Sequence, residues 1–299
     1  MYRRLWEVIT YVYLNRYSNN TNLNSERIDL HLHTTASDGA YSPSDIVSLA
    51  QKKGIAVLAI TDHDSIEGLD EGARECKKCN INFIPGIELS TSYKKQEIHI
   101  LGYHINKHSN KLIEILVELQ KSRETRIKKI VSKLENLGYP IHMEDIKKLH
   151  LGNNLGRLHV ALALINKGIV KNIEEAFEKY LSLNKPAFVE RYKLSPFEAI
   201  RVIEDSGGVP VLAHPSMSCS METIEILVNK GIKGIEAFHP KHTKDEQNYY
   251  FEYAKKYNLI VTGGSDFHGH EKKDYLNLGK MNVPKITIEL LRNSRNCRV

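Results

Sequence analysis

Short apolar segments alternate with helical patterns along most of this chain, and that alternation restricts the fold more than any other property of the sequence. Seven stretches, 28–33, 56–62, 82–89, 97–104, 209–214, 234–238 and 259–263, are β-branched or leucine-rich and end in polar or small residues, as short buried strands do. Helical patterns at 43–53, 68–78, 196–205, 221–230 and 244–257 separate most of them. Ser42 before Pro43 and Ser195 before Pro196 are N-cap and N1 signatures, and Gly54 and Gly207 follow the ends of their helices. Strand–helix alternation predicts an α/β fold with a parallel sheet and crossover connections, closed or open. One connection breaks the rule, because 90–96 is too short for a helical crossover and predicts a hairpin-like junction.

From Lys107 to Pro186 the strand signal is replaced by helical periodicity. Leu112, Ile115, Leu116 and Leu119 open one pattern, which continues through Ile127, Ile130, Val131 and Leu134 until Gly138-Tyr139-Pro140 ends it. Shorter helices are expected at 158–167 and 173–181. The resulting organisation is an N-terminal lead-in over 1–26, a barrel or sheet domain from 27–106 and 186–299, and an all-helical insertion over 107–185 between the fourth and fifth strands.

With 299 residues, 41% of them hydrophobic and 26% charged, the chain has the makings of a soluble globular protein. No apolar run approaches the ~20 residues of a membrane-spanning helix. Arg3 and Arg4 before a short apolar stretch imitate a signal peptide faintly, but Glu7 interrupts it and no small-residue cleavage pattern follows. A dispensable lead-in or short amphipathic helix, and a cytoplasmic location, are the expectations. The four cysteines form no disulfide framework, and Cys76-x-x-Cys79 lacks a second pair at zinc-finger spacing, so both are expected to pack on a helix. Of the net charge of +6, almost all comes from Lys107–Arg157, with eleven Lys and Arg against six Asp and Glu. A lobe of that sign suits an anionic substrate, although a solvated helix face would look the same.

The chemistry collects at the ends of the predicted strands. The first closes on His31-Leu32-His33, whose imidazoles project to one side because residues i and i+2 of a strand share a face. Asp38 lies in the following loop, His63 after the second strand, Glu88 in the third, His99 in the fourth, His214 at the end of the fifth, and Asp266 with His268 after the seventh. Singly, a residue such as His214 is more often a satisfied core histidine. Asp62 is expected to cap a helix or hold an imidazole, not to ligate. Together, six imidazoles and three carboxylates at strand ends describe a metal centre, since the carboxyl ends of parallel strands open onto one face. Mixed nitrogen and oxygen ligands without thiolate suit manganese, zinc or iron better than calcium. Nine candidates exceed the needs of one ion, so two or three ions bridged by Glu88 are expected. Such clusters clamp both oxygens of a phosphoryl displacement and generate hydroxide near neutral pH, which points to metal-assisted hydrolysis.

The ordered motifs Asp29-Leu30-His31-Leu32-His33-Thr34, Ser37-Asp38-Gly39, Thr61-Asp62-His63-Asp64, Gly86-Ile87-Glu88, His99-Ile100-Leu101-Gly102-Tyr103, Ala213-His214-Pro215 and Gly264-Ser265-Asp266-Phe267-His268-Gly269 resemble those of the polymerase and histidinol phosphatase (PHP) family. The resemblance spans 28–269 and implies a distorted (β/α)7 barrel. It also implies one metal held by His31, His33, Glu88 and Asp266, a second by Glu88, His99 and His214, and a third by Asp38, His63 and His268, with manganese the first choice and zinc or iron(II) the alternatives. The segment Gly156-Arg157-Leu158-His159-Val160-Ala161 and the helical stretch are similar to the ribonuclease AM-like group, which hydrolyses nucleoside 3',5'-bisphosphates and trims short RNA from its 5' end. That group usually has proline where this chain has Leu158, a change at helix position N1 that removes no functional group. By resemblance Arg157 would fork onto a substrate phosphate and His159 would add a donor, whereas the residues alone could equally form an exposed helix start. His239 and His242 resemble a family loop beside the site and receive no role. The implied partners are a phosphorylated nucleotide or short RNA, with no membrane and no stable protein partner. A histidinol-phosphate phosphatase and a non-catalytic metal-dependent binding module are the alternatives.

Overall fold

In the computed structural model, residues 27–149, 155–190, 192–217 and 219–295 are described. The expected lead-in, 1–26, lies outside them. Seven strands lie side by side in sequence order: β1 (Arg27–Asp29), β2 (Ile55–Ile60), β3 (Asn82–Tyr93), β4 (Gln96–Tyr103), β5 (Val209–Leu212), β6 (Gly234–Phe238) and β7 (Ile260–Gly263). The ladders β1–β2–β3 and β5–β6–β7 are parallel, while β4 runs antiparallel to both its neighbours. β4 reverses because β3 turns into it at Lys94 and Lys95, both at positive φ, so the short junction read from the sequence is a hairpin.

The first strand is shorter than the expected 28–33, since its ladder stops at Asp29. Beyond it the chain meets the β7 edge through single bonds: Leu30 N donates to Gly263 O at 3.2 Å and His33 N to Phe267 O at 3.0 Å. The two edges therefore touch without a closing ladder, and the barrel is distorted and incomplete. Gly264 makes this approach feasible, because a Cβ there would collide with the backbone and Cβ of His31.

Helices α1 (Pro43–Lys52) and α2 (Leu69–Cys79) cover β1–β3, and α7 (Pro196–Asp205), α8 (Met221–Asn229) and α9 (Lys244–Lys256) accompany β4–β7. Ser42 and Ser195 accept from the third backbone N–H of α1 and α7, the caps read from the sequence. Cys76 is buried and Cys79 packs against the same core, so both thiols serve packing. Among the described residues, the elements between β4 and α7 are all helical: α3 (Asn110–Asn136), α4 (Met143–Lys147), α5 (Arg157–Asn166), and α6 (Ile173–Ala176) running into a π turn at Phe177–Leu181. They share a core of their own, built on Ile127, Ile130, Leu134, Val160 and Leu164. The final helices are α10 (Lys272–Asn277) and α11 (Ile286–Asn293).

Period-2 alternation explains how the strands serve both core and site. Val57 and Ala59 on β2, Ile84 on β3 and Leu101 and Tyr103 on β4 join one apolar cluster, capped by Leu291 of α11. Continuing each series two residues at a time arrives at His63, Glu88 and His99. The antiparallel course of β4 is what brings His99, near its start, level with Ser90 of β3.

At the other end of β4, His104 is held at φ 56° with its Nε2 buried and without a hydrogen bond. Burial, with Arg295 and Arg292 nearby, pushes its pKa down to about 4. A folded-state value below the unfolded ~6.5 means that the native protein resists this proton, so stability is lost as pH falls from about 6.5 towards 4. His104→Asn, which tolerates positive φ, should remove that part of the loss, about 1 kcal/mol after allowance for solvent screening of a partly exposed ring. Denaturant midpoints of both proteins at pH 7.5 and pH 4.5 test this, and equal losses in the two would contradict it.

Candidate metal centre

Glu88 is fully buried, and five imidazoles from different parts of the sheet surround it. His31 Nε2, His33 Nε2 and His63 Nδ1 lie 3.1, 3.2 and 3.1 Å from Oε2, while His99 Nδ1 and His214 Nε2 lie 2.9 and 3.1 Å from Oε1. Asp266 Oδ1 stands 3.5 Å from His31 Nε2 and 3.2 Å from His33 Nε2. Asp38 closes the far side, 3.5 Å from His268 Nε2 and 4.0 Å from His63 Nε2. All nine residues singled out in the sequence are thus in one cluster. Asp64, His214 and Asp266 take positive φ at its rim, backbone strain of the kind found at functional sites.

Four overlapping groups have donor atoms within 4.8 Å of one another: His33-Asp38-His63-His268, His31-His33-Asp266, His31-Glu88-His214 and His63-Glu88-His99. The groups resemble the expected sets without reproducing them, because Glu88 pairs with His31 and His214 on one side and with His63 and His99 on the other. Metal ions fit these residues. His33 Nδ1 is buried without a hydrogen-bond partner, and the donors are the nitrogen and oxygen mixture that borderline divalent ions prefer.

The imidazoles and carboxylates of the cluster shift one another's pKa values. Burial opposes charge on Glu88, Asp38 and Asp266, but the imidazoles around them hold all three well below the carboxylate range. Burial likewise works against protonated imidazoles, yet Glu236, Glu88 and Asp266 raise His31 well above its ordinary value. Carboxylates also bring His99 up to about 9 and His268 up to about 10. His63 is pushed down to about 3, because burial outweighs Glu88 and Asp38 there.

A family model for the PHP domain matches residues 29–190. The chain is 36% identical over 82% of its length to a 5'-3' exoribonuclease of Haemophilus influenzae, covering 90% of that protein. It is 32% identical over 81% of its length to a 3',5'-nucleoside bisphosphate phosphatase of Chromobacterium violaceum, covering 87% of it. The chain belongs to the PHP domain family. A structure described as a metal-dependent phosphoesterase from Bifidobacterium adolescentis superimposes with a TM-score of 0.83 at 26% identity, over 89% of this chain and 96% of the other. The distorted PHP barrel is therefore this chain's fold, as its motifs implied.

Further residues hold the cluster: Glu236, which pattern reading passed over, His239, to which it gave no role, and Asp62. Glu236 on β6 is fully buried: its Oε1 accepts from His31 Nδ1 at 3.0 Å and its Oε2 accepts from His214 N at 2.9 Å. That bond leaves His31 Nε2 as the donor atom facing Glu88. A lone carboxylate in the apolar strand Gly234-Ile235-Glu236-Ala237 was the available signal, the same one that exposed Glu88. His239 Nδ1 accepts from Lys241 N, so its Nε2–H donates to Asp266 Oδ2 at 3.3 Å and fixes that carboxylate. His242 is turned away to Ala237 O. Asp62 clasps the loop after His33, accepting from Thr34 N, Thr34 Oγ1 and Ser37 Oγ, and holds no imidazole directly.

Arg157 is not an exposed helix start. It is half-buried, its guanidinium 5.3 Å from the Phe177 ring centre, donating to Leu181 O at 3.2 Å and lying 3.8 Å from Glu97. Glu97 in turn lies 2.6 Å from Lys193 and 3.5 Å from His99, which joins these cations to the cluster's edge. Burial opposes ionisation of Glu97, but His99 and Lys193 hold it far below its ordinary range. His159 is buried and accepts from Gly156 N at 3.0 Å.

Glu236→Gln keeps the shape but removes the charge that orients His31. Metal affinity should fall about 10–100-fold with the circular dichroism spectrum unchanged. Titration with manganese reads it, and an unaltered affinity would remove Glu236 from the metal centre.

Proposed function

We propose that this PHP chain is a metal-dependent hydrolase of nucleotide phosphate esters, acting on nucleoside 3',5'-bisphosphates, on the 5' ends of short RNA, or on both. The single observation that carries this reading is the convergence of five imidazoles on the buried carboxylate of Glu88, with cations at the edge of the same cluster. His31, His33, Glu88 and Asp266, then Glu88, His99 and His214, then Asp38, His63 and His268 are the proposed ligand sets for two or three ions, manganese first. When bound, such ions offset charge developing on the phosphoryl oxygens and acidify water towards neutrality.

The chain's own residues bind and orient. Glu236 keeps the proton of His31 on Nδ1, and His239 steadies Asp266. Arg157, held against Phe177 and Leu181 O, offers its fork to a substrate phosphate, and Lys193 stands across Glu97 from it. A site with two cations beside the cluster suits a substrate with a second phosphate more than a small amino alcohol phosphate. No helix among the described residues is long and apolar enough to cross a membrane. A cytoplasmic place and a separate helical unit over 107–185 go with this reading.

Complete removal of metal with a chelator should abolish hydrolysis, and added manganese should restore it; activity that survives stripping would sink the mechanism. Adenosine 3',5'-bisphosphate, 5'-phosphorylated short RNA and histidinol phosphate assayed side by side decide the substrate class. A preference for the last, or no turnover of any by metal-loaded protein, would overturn the reading. His31→Ala should lower turnover at least about 100-fold while the protein stays folded, more than the loss expected from an orienting partner. Near-normal turnover per metal-loaded site would exclude His31 as a ligand.

A further inference from the structure

The surplus positive charge of the helical stretch is not consumed by the metal centre. Lys121, Thr125 and Lys129 recur every four residues on an exposed row of α3, and Ser122 and Arg126 form the next row. Together they make one side of a groove of about 250 Å³, whose other side is Glu190 and Tyr192. Lys121 and Lys129 are exposed there and Arg126 is buried beneath them, while Glu190 lines the groove and Glu118 and Glu198 lie near Tyr192. The far wall is tied to the helix, with Arg126 Nε donating to Val189 O at 2.7 Å, Lys133 Nζ to Phe188 O at 2.7 Å and Ser122 Oγ to Tyr192 O at 3.4 Å. Tyr192 leaves 47% of its surface exposed.

Chain neighbours of the groove residues reach the edge of the metal cluster. The residue after Tyr192 is Lys193, which reaches Glu97 beside His99, and Arg123 of the same helix turn contacts Asp64, next to His63. From Arg123 to Lys129 is about 9 Å along the helix axis at 1.5 Å per residue. Cations that follow a backbone, with an aromatic face beside them, are what a single-stranded nucleic acid needs from a protein surface.

We propose that this groove is a subsite for single-stranded RNA, in which the exposed Lys121 and Lys129 meet backbone phosphates 3' of the scissile one and Tyr192 stacks on a base. The proposal rests on the phosphoesterase reading and deepens it, because the groove would let the enzyme favour oligonucleotides over single nucleotides.

Two variants of the full chain test it: Lys121→Gln with Lys129→Gln, and Tyr192→Ala. The first measurement is the ratio of kcat/KM for a 5'-phosphorylated tetraribonucleotide to that for adenosine 3',5'-bisphosphate, which should fall about tenfold in each variant. The second is fluorescence anisotropy of a labelled tetraribonucleotide on metal-stripped protein, which needs no turnover. The double variant should bind more weakly and lose about 1.4 from the slope of log affinity against log salt, two phosphates' worth. A ratio within twofold of the parent, or an unchanged salt slope, overturns the subsite, as does failure of the parent to bind the tetranucleotide. If the parent hydrolyses neither substrate, the phosphoesterase reading fails by itself, and the anisotropy alone decides the groove: weaker binding by both variants supports it and unaltered binding overturns it.

Discussion

A single carboxylate sets the terms for this fold. Glu88 has no contact with solvent, and an isolated ionised carboxylate in such a place would cost several kcal/mol. It is tolerable only because five imidazoles reach it, from the segments that follow β1, β2 and β5 and from β4 itself. Each strand must therefore end at the correct height, and the register of the sheet is tied to the geometry of the centre. Slipping one strand by a residue would turn its imidazole to the opposite face and leave the carboxylate short of a partner.

That requirement explains the irregular parts of the barrel. A regular parallel β4 would present its carboxyl end to the site; the hairpin at Lys94 and Lys95 presents its amino end instead, with His99 and Glu97 two residues apart on one side. The gap between β1 and β7 has a similar origin. His31 and His33 lie beyond the β1 ladder, where single bonds to Gly263 and Phe267 and the clasp of Asp62 on Thr34 and Ser37 hold the chain without forcing it into regular pleat. Asp29, accepting from Ser265 N and Gly279 N, draws the loop carrying Asp266 against the same edge.

What could be read from the sequence follows from the range of the signals. The strands, the short junction between the third and fourth, the helical elements and the nine residues of the cluster were legible because each is announced locally, by an apolar run, a helical period or a histidine or carboxylate at a strand end. The residues that orient the cluster were not. Glu236 sits in the strand after the one that ends at His214, and nothing nearby in the chain says that His31, 205 positions away, lies against it. Lys193 and Glu97 are opposite charges at ordinary positions until folding places them beside Arg157 and His99. Arg157 itself could not be separated from an exposed helix start, because only the tertiary contacts to Phe177 and Leu181 distinguish the two.

The pairing of Arg123 with Asp64 shows most clearly how the helical stretch and the sheet act as one structure. Asp64 follows His63, takes a backbone conformation with positive φ, and accepts from Ser90 N at 2.9 Å with one oxygen. Arg123 donates to its other oxygen from Nε at 2.9 Å and also contacts Ser90 Oγ at 3.1 Å. Such a buried pair is a poor source of stability, since desolvation offsets most of the attraction. Removing one member is costly, however, about 3–5 kcal/mol, because a charge is then buried alone. The pair therefore acts as a constraint. It fixes the loop that aims His63 at Glu88, and it fixes the face that α3 turns towards Val189 and Tyr192. One arginine on a long helix thus sets the distance between the metal centre and the basic groove, although it belongs to neither.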